Sequence, residues 1–343
     1  MTRFKTIRNL LVIAGVLAGT GYLRLSPEQA FTEDLRERKI VQPRIKSETW
    51  SEMGQTSLAG TFGGLRSVMA TFLSAGSYDH FIDQEWYDLR KDYEVITALD
   101  PYNSFYWEQG AWHLGFNAAS WAKRNEDFSP AQRRATEMQY IELGDQFFAK
   151  GVGYNPDSHN LWFQRGALWD NEYKRPDLER AAAAFKVASQ SMNPIYKRRY
   201  LFTLARLPGR EKEAYDEMMS LLRENPRAHL SIPKFRCLMV VLGTIPDLPV
   251  GAIRPRVDQI FQTKESAYRD LYNYWAKIPS DGLYEVGLEE IMKTLISELN
   301  VPTELNPFLT KPKRPIYSND WREKYRKAEQ NNLPDWMLKE WLL

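Results

Sequence analysis

The chain has 343 residues, and its 46 Lys plus Arg stand against 44 Asp plus Glu, a formal net charge of +2. Balanced charge excludes the broad electrostatic pull that nucleic-acid binding draws on and leaves a protein or peptide as the default partner. Cys237 is the only cysteine, which excludes an internal disulfide and a multi-cysteine metal site.

The first 25 residues form a segment of their own. Arg3, Lys5 and Arg8 precede an uncharged run over residues 9–23, after which Arg24 opens a charged stretch. This is the layout of an export signal or an anchor. The run falls short of the roughly 20 apolar residues of a full span, and flanking Ile7, Arg24 and Leu25 extend it by snorkelling. No Ala-x-Ala sequence follows it, so the expectation is an uncleaved signal-anchor, a transmembrane helix over residues 1–25. A cleaved signal and a buried helix of a cytosolic protein are the alternatives. A basic N-terminal flank is held in the cytoplasm, which puts the body on the other side of the membrane. Residues 26–48, charged and carrying Pro27 and Pro43, read as a linker.

From residue 49 onward the apolar residues fall at helical spacing. Leu58, Phe62, Leu65, Met69, Phe72 and Leu73 recur at steps of three and four, the mark of an amphipathic helix. Trp86, Leu89, Tyr93 and Ile96 make the next helix, which Asp100-Pro101 stops. Residues 107–117 form the densest apolar segment. A charged insertion over residues 121–129 then ends in Ser129-Pro130, an N-cap and a first-turn proline. Another helix pair runs from Trp162 through Trp169, turns at Lys174-Arg175-Pro176-Asp177 and returns through Ala181, Phe185 and Ala188 to Pro194. Past Pro226 the pattern decays into an apolar run over 235–242, a proline-rich stretch over 244–255, and two expected helices at 257–277 and 281–298. Residues 227–310 read as an atypical helical cap. Residues 311–343 combine a linker with a tail that Trp321, Tyr325, Trp336 and Trp341 make too apolar for plain disorder.

Three stretches share one template: Trp107-Gly110-Ala111-Leu114, Trp162-Arg165-Gly166-Trp169 and, less clearly, Arg199-Phe202-Thr203-Arg206. The returning helices close on prolines, with Tyr93, Phe148 and Met218 each eight residues before Pro101, Pro156 and Pro226, and Phe185 eight or nine before Asn193-Pro194. Over residues 86–226 this resembles the tetratricopeptide repeat, a helical hairpin of about 34 residues that buries its apolar face against its neighbours. The fifty-five residues from Trp107 to Trp162 exceed one ordinary repeat. The resemblance implies an all-α fold: a right-handed α-solenoid of antiparallel helix pairs over residues 49–226. It also implies a concave surface lined by Phe105, Glu108, Trp112 and Phe116 in one unit and by Asn160, Phe163, Ala167 and Asp170 in the next. Trp107 and Trp162 are expected inside the pairs. The anchor, Gly63-Gly64-Leu65-Arg66, Leu99-Asp100-Pro101 and residues 111–117 together look like a group of bacterial membrane-anchored tetratricopeptide-like proteins without settled function, which implies an inner-membrane, extracytoplasmic setting.

Chemistry is sparse in this sequence. There is no Gly-x-Ser-x-Gly, phosphate loop, dinucleotide fingerprint or metal-ligand spacing, so no cofactor is implied. His113 and Asn117 stand four apart and read as a structural polar pair, and Arg66, beside an apolar stripe, is expected in a structural ion pair. The function expected is a non-enzymatic scaffold that binds a protein or peptide in an envelope complex. The alternatives are an all-helical enzyme acting on saccharides through paired carboxylates, and a structural subunit that uses its outer face and tail.

Overall fold

The computed structural model describes residues 2–45, 64–244, 257–281, 287–303 and 306–310. Among these residues the regular structure is helical throughout, with no strand, so the all-α expectation holds. The start of the helix expected at 58–73, the proline-rich stretch over 245–256 and the tail over 311–343 lie outside the described residues.

The N-terminal helix α1 (Thr2–Glu37) carries Pro27 inside it, so the segment read as a linker is helical as far as Glu37. Among the described residues no helix is long and apolar enough to cross a membrane.

The chain divides into two compact units, the first made of residues 1–114 and 150–156 and the second of 115–149 and 157–343. In the first unit α2 (Arg66–Ile82) packs on α3 (Trp86–Leu99), and α3 packs on α4 (Ser104–Trp112). The sequence pattern for α2 places Leu65, Met69, Phe72 and Leu73 in one core stripe. The structure buries Ala70 and Ser77, with Met69 and Leu73 half-buried beside them, while Leu65, Val68, Phe72 and Ile82 stay exposed. In α3 the stripe is as expected, with Trp86, Leu89, Tyr93 and Ile96 all buried. Residues three and four apart share a helix face, so each of these side chains reaches the same neighbours. Asn103 caps α4 by accepting a hydrogen bond from the Phe105 amide. Trp107 is buried there, donating to the Pro101 carbonyl at 2.8 Å and stacking on Tyr154 at 5.7 Å. Arg66 donates to the carbonyls of Pro43 and Ala98 at 2.9 and 2.6 Å, so carbonyl oxygens stand where an ion pair was expected.

A π-helical stretch, His113–Ala118, follows α4 directly. In the second unit come α5 (Ala119–Arg124), α6 (Pro130–Tyr154, its residues up to 149), α7 (His159–Trp169), α8 (Leu178–Ala188), α9 (Pro194–Leu204) and α10 (Glu211–Glu224). Each start has a local cause. Ser129 and Gln132 exchange side-chain-to-backbone hydrogen bonds at the head of α6, a reciprocal capping box. Ser158, Asp177 and Asn193 cap α7, α8 and α9. Helices α7 and α8 pack so closely that a Cβ on Gly166 would stand 2.6 Å from the Phe185 ring. A Cβ on Gly115 would meet Leu168 at 2.9 Å. Contacts continue from α8 to α9 and from α9 to α10.

Beyond these, α11 (Pro226–Leu230) leads to α12 (Pro233–Leu242), in which Phe235 and all of residues 237–242 are buried. Six consecutive buried apolar residues cover every face of its second half, which belongs in a core. Short α13 (Val257–Phe261), α14 (Lys264–Asp281), α15 (Leu288–Glu298) and a last turn, α16 (Pro307–Thr310), follow, with α14 against both α12 and α15. The single helix expected over 257–277 is thus two. Gln262, in a left-handed conformation at φ 68°, ends the first.

Candidate binding site

The first unit holds a cavity of about 280 Å³ between α2 and α4, floored by α3. From α2 come Ser74, Ser77, Tyr78 and Phe81, from α3 comes Tyr93, and Phe105, Gln109 and His113 complete the lining. Phe105, Gln109 and His113 stand at steps of four, so α4 and the first residue after it present them along one line. On α2 the spacing 74, 77, 78, 81 does the same.

The floor is aromatic. The His113 ring lies 4.7 Å from Phe81 and 5.5 Å from Tyr93, tilted by 53° and 43°. Burial alone pushes the His113 imidazole down to about 4, leaving it neutral near pH 7. Burial also raises the Tyr93 phenol, against the opposing effect of hydrogen bonds with Ser77 and Ser74. At the mouth, Tyr78 and Phe105 are 61% and 54% exposed, and neighbouring Trp112, whose ring meets His113 at 5.5 Å, is 45% exposed. Large aromatics left this open in one small area are unusual for a face that meets only water. Among the described residues that line the cavity there is no carboxylate.

Of the other expected contact residues, Glu108 is half-buried in this same unit, and the rest fall in the second. There Phe116 is half-buried, and its carbonyl accepts from Lys174 Nζ at 3.2 Å. Asn160 is exposed and accepts from the Tyr196 hydroxyl at 3.4 Å, while Phe163 stacks on Tyr196 at 4.5 Å and meets Phe185 at 5.4 Å. Ala167 is half-buried. Asp170 is not at the surface: its side chain is 1% exposed and paired with Arg206 at 2.6 Å and Arg199 at 2.5 Å. A carboxylate so enclosed joins helices α7 and α9 rather than meeting a partner. Trp162 is half-buried, and Trp169 is the residue of that helix that disappears into the core.

The second unit's remaining polar clusters also serve packing. Asp145 accepts from Arg165 at 2.7 and 3.0 Å and from the Trp169 indole at 2.8 Å. Burial raises this carboxyl, but the hydrogen bonds outweigh it and the net shift is downward. Lys174 donates to Phe116 and Ser120, and burial lowers it to about 8. A depression of about 460 Å³ beside α10 is bounded by Gly209 and by Lys212, Glu213, Asp216, Glu217 and Ser220 of that one helix. Among the described residues no second element faces it, and the side chains that bound it are mostly charged. Among the described residues no group of three His, Cys, Asp or Glu is placed to hold a metal ion.

Sequence spacing pointed to Phe105 and Trp112, read His113 as structural, and passed over Gln109, Tyr78 and Phe81. The signal for Gln109 and His113 as lining residues was the i, i+4, i+8 line on α4. No family model matches the chain, and no curated protein or solved structure matches it either.

Proposed function

We propose that this chain is a non-enzymatic scaffold with tetratricopeptide-like helix pairs that binds a protein or peptide partner, tethered by α1 to a bacterial inner membrane with its body on the extracytoplasmic side. One observation carries the reading: Tyr78, Phe105 and Trp112 stand open to solvent around a ready-made aromatic cavity. Burying an aromatic side chain yields roughly 2 to 3 kcal/mol, so a partner that covers these rings gains binding energy without remodelling the pocket. The solenoid part of the proposal draws on the consecutive packing of α7, α8, α9 and α10 and on the Gly166 notch that admits Phe185. The tether draws on Arg3, Lys5 and Arg8 ahead of an uncharged run, and on the exposure of Ile13, Val16, Tyr22 and Leu23 along α1.

The test is affinity capture from bacterial membranes with the full chain, comparing wild type with Phe105→Ala/Trp112→Ala. The reading expects a specific partner that the double variant loses at unchanged helical content. A partner retained in full by the double variant contradicts it. A structural-subunit reading has one observation of its own, the exposed apolar face of Leu65, Val68, Phe72 and Ile82 on and before α2. Partner loss on Val68→Ser/Phe72→Ser alone would favour that face over the cavity.

A further inference from the structure

We infer that the cavity between α2 and α4 is a slot for a single uncharged ring with a hydrogen-bonding edge, the phenol or indole side chain of a partner's tyrosine or tryptophan. The inference rests on the binding reading above and narrows what that site accepts.

Size comes first. At about 280 Å³ the cavity sits at the bottom of the range of small-molecule sites, roughly 300 to 1,000 Å³, and has room for one bulky side chain rather than an extended ligand. Its shape favours a ring. The Phe81 and His113 rings are tilted 53° to one another, and Tyr78 and Phe105 flank the mouth, so an entering ring meets both faces and edges. Aromatic pairs prefer those offset and edge-to-face arrangements.

Charge is excluded from both sides. Among the described residues no Lys, Arg, Asp or Glu lines the cavity. The wall's own imidazole illustrates the cost of a cation here, since burial depresses it to about 4. An ammonium ligand would meet the same penalty, and an anion would find no counter-charge among the described lining residues.

The polar atoms then separate tyrosine and tryptophan from phenylalanine and leucine. Ser77 and Tyr93 hydroxyls are already engaged, Ser77 with the Ser74 carbonyl at 2.9 Å. Among the described residues no side-chain hydrogen bond is formed by the Gln109 amide, which lines the cavity. A purely apolar occupant would strip water from that amide and leave it unsatisfied, whereas an O–H or N–H on the ring edge replaces the water.

The experiment titrates the full chain with N-acetyl amides of tyrosine, tryptophan, phenylalanine and leucine, with free phenol and indole, and with tyramine, read by ligand-observed NMR and calorimetry. The tyrosine and tryptophan amides should bind saturably, the phenylalanine amide about fivefold more weakly, and leucine and tyramine weakest. Gln109→Leu should erase the tyrosine-over-phenylalanine preference, and Phe105→Ala, at an exposed position, should weaken every ring about tenfold. The inference is overturned by no saturable binding of any ring amide, by leucine binding as well as tyrosine, or by an unchanged tyrosine preference in Gln109→Leu. Free indole or phenol binding more tightly than the amides would overturn the side-chain source. If partner capture survives while these probes fail, the slot alone falls. If capture by wild type fails while the ring amides bind as described, the slot stands and the scaffold reading falls.

Discussion

The rings of Phe81 and His113, one from α2 and the other just past α4, lie 4.7 Å apart and close the floor of the first unit's cavity. Neither residue makes a site alone. Their meeting turns two helix faces into a concave aromatic surface whose outer rim, Tyr78 and Phe105, stays open.

Because Phe105 and Trp112 are about half exposed, their replacement should separate binding from folding. Surface substitutions of this kind stay within about 0.5 kcal/mol. Phe105→Ala/Trp112→Ala should leave the urea midpoint nearly unmoved while partner capture is lost. A large drop in the midpoint would mean that these rings hold the unit together.

His113 gives a pH prediction with a definite sign. Its value in the folded chain, about 4, lies below the ordinary 6.5, so between those values the unfolded chain takes up a proton that the folded chain refuses. Stability therefore falls as pH drops from about 6.5 toward about 4, and above 6.5 this residue contributes no slope. His113→Phe keeps a ring in place and removes the proton uptake. Melting temperatures of the two proteins, compared between pH 7 and about 4.5, should show a shallower acid loss in the variant.

Two glycines should respond oppositely to alanine. At Gly166 a Cβ would stand 2.6 Å from Phe185, a fully buried ring whose Cγ is itself only 2.9 Å away. Overpacking of this kind costs about 1 to 3 kcal/mol. Gly76, inside α2, has nothing within 4 Å of a Cβ, so Gly76→Ala should stabilise by about 0.5 to 1 kcal/mol through helix propensity. Urea unfolding of both variants checks the pair, and a Gly166→Ala protein as stable as wild type would show that α7 and α8 do not approach as described.

The sequence made some of this legible and hid the rest for identifiable reasons. Helix boundaries followed from short-range chemistry: Asp100-Pro101 ends α3, Ser129-Pro130 starts α6, and Asn193-Pro194 starts α9. The core face of α3 followed from its period. The face of α2 followed only in part, because Leu65 and Phe72 look like core residues in the chain yet stay exposed, while Ala70 and Ser77 are the residues fully buried. At the site, Phe105 and Trp112 were visible as aromatics on a helix expected to line a concave surface. Asp170 looked equally suitable, yet Arg199 and Arg206, distant in sequence, enclose it. Ion pairs between helices leave no periodic trace, and the Asp145–Arg165 pair is hidden for the same reason.

That pair supplies the stability counterpart to the binding predictions. Arg165 holds Asp145 through two hydrogen bonds, with Asp145 11% exposed and Arg165 26%. Removing one partner leaves the other charge enclosed, so Arg165→Ala should cost about 3 kcal/mol, measured by urea unfolding. The Asp145 carboxyl is held below its ordinary value, so its contribution is present above that value and is lost as pH falls through the lowered one.

The central claim is that a partner seats itself over the cavity rimmed by Tyr78 and Phe105. Its most direct test places a photo-crosslinking phenylalanine analogue at position 105 and, separately, at exposed Tyr173 and Met192 in the second unit. Irradiation in intact membranes should give one dominant adduct from position 105, absent from the other two and suppressed when Gln109→Leu is added. The same adducts from all three positions, or none from position 105, would contradict the account.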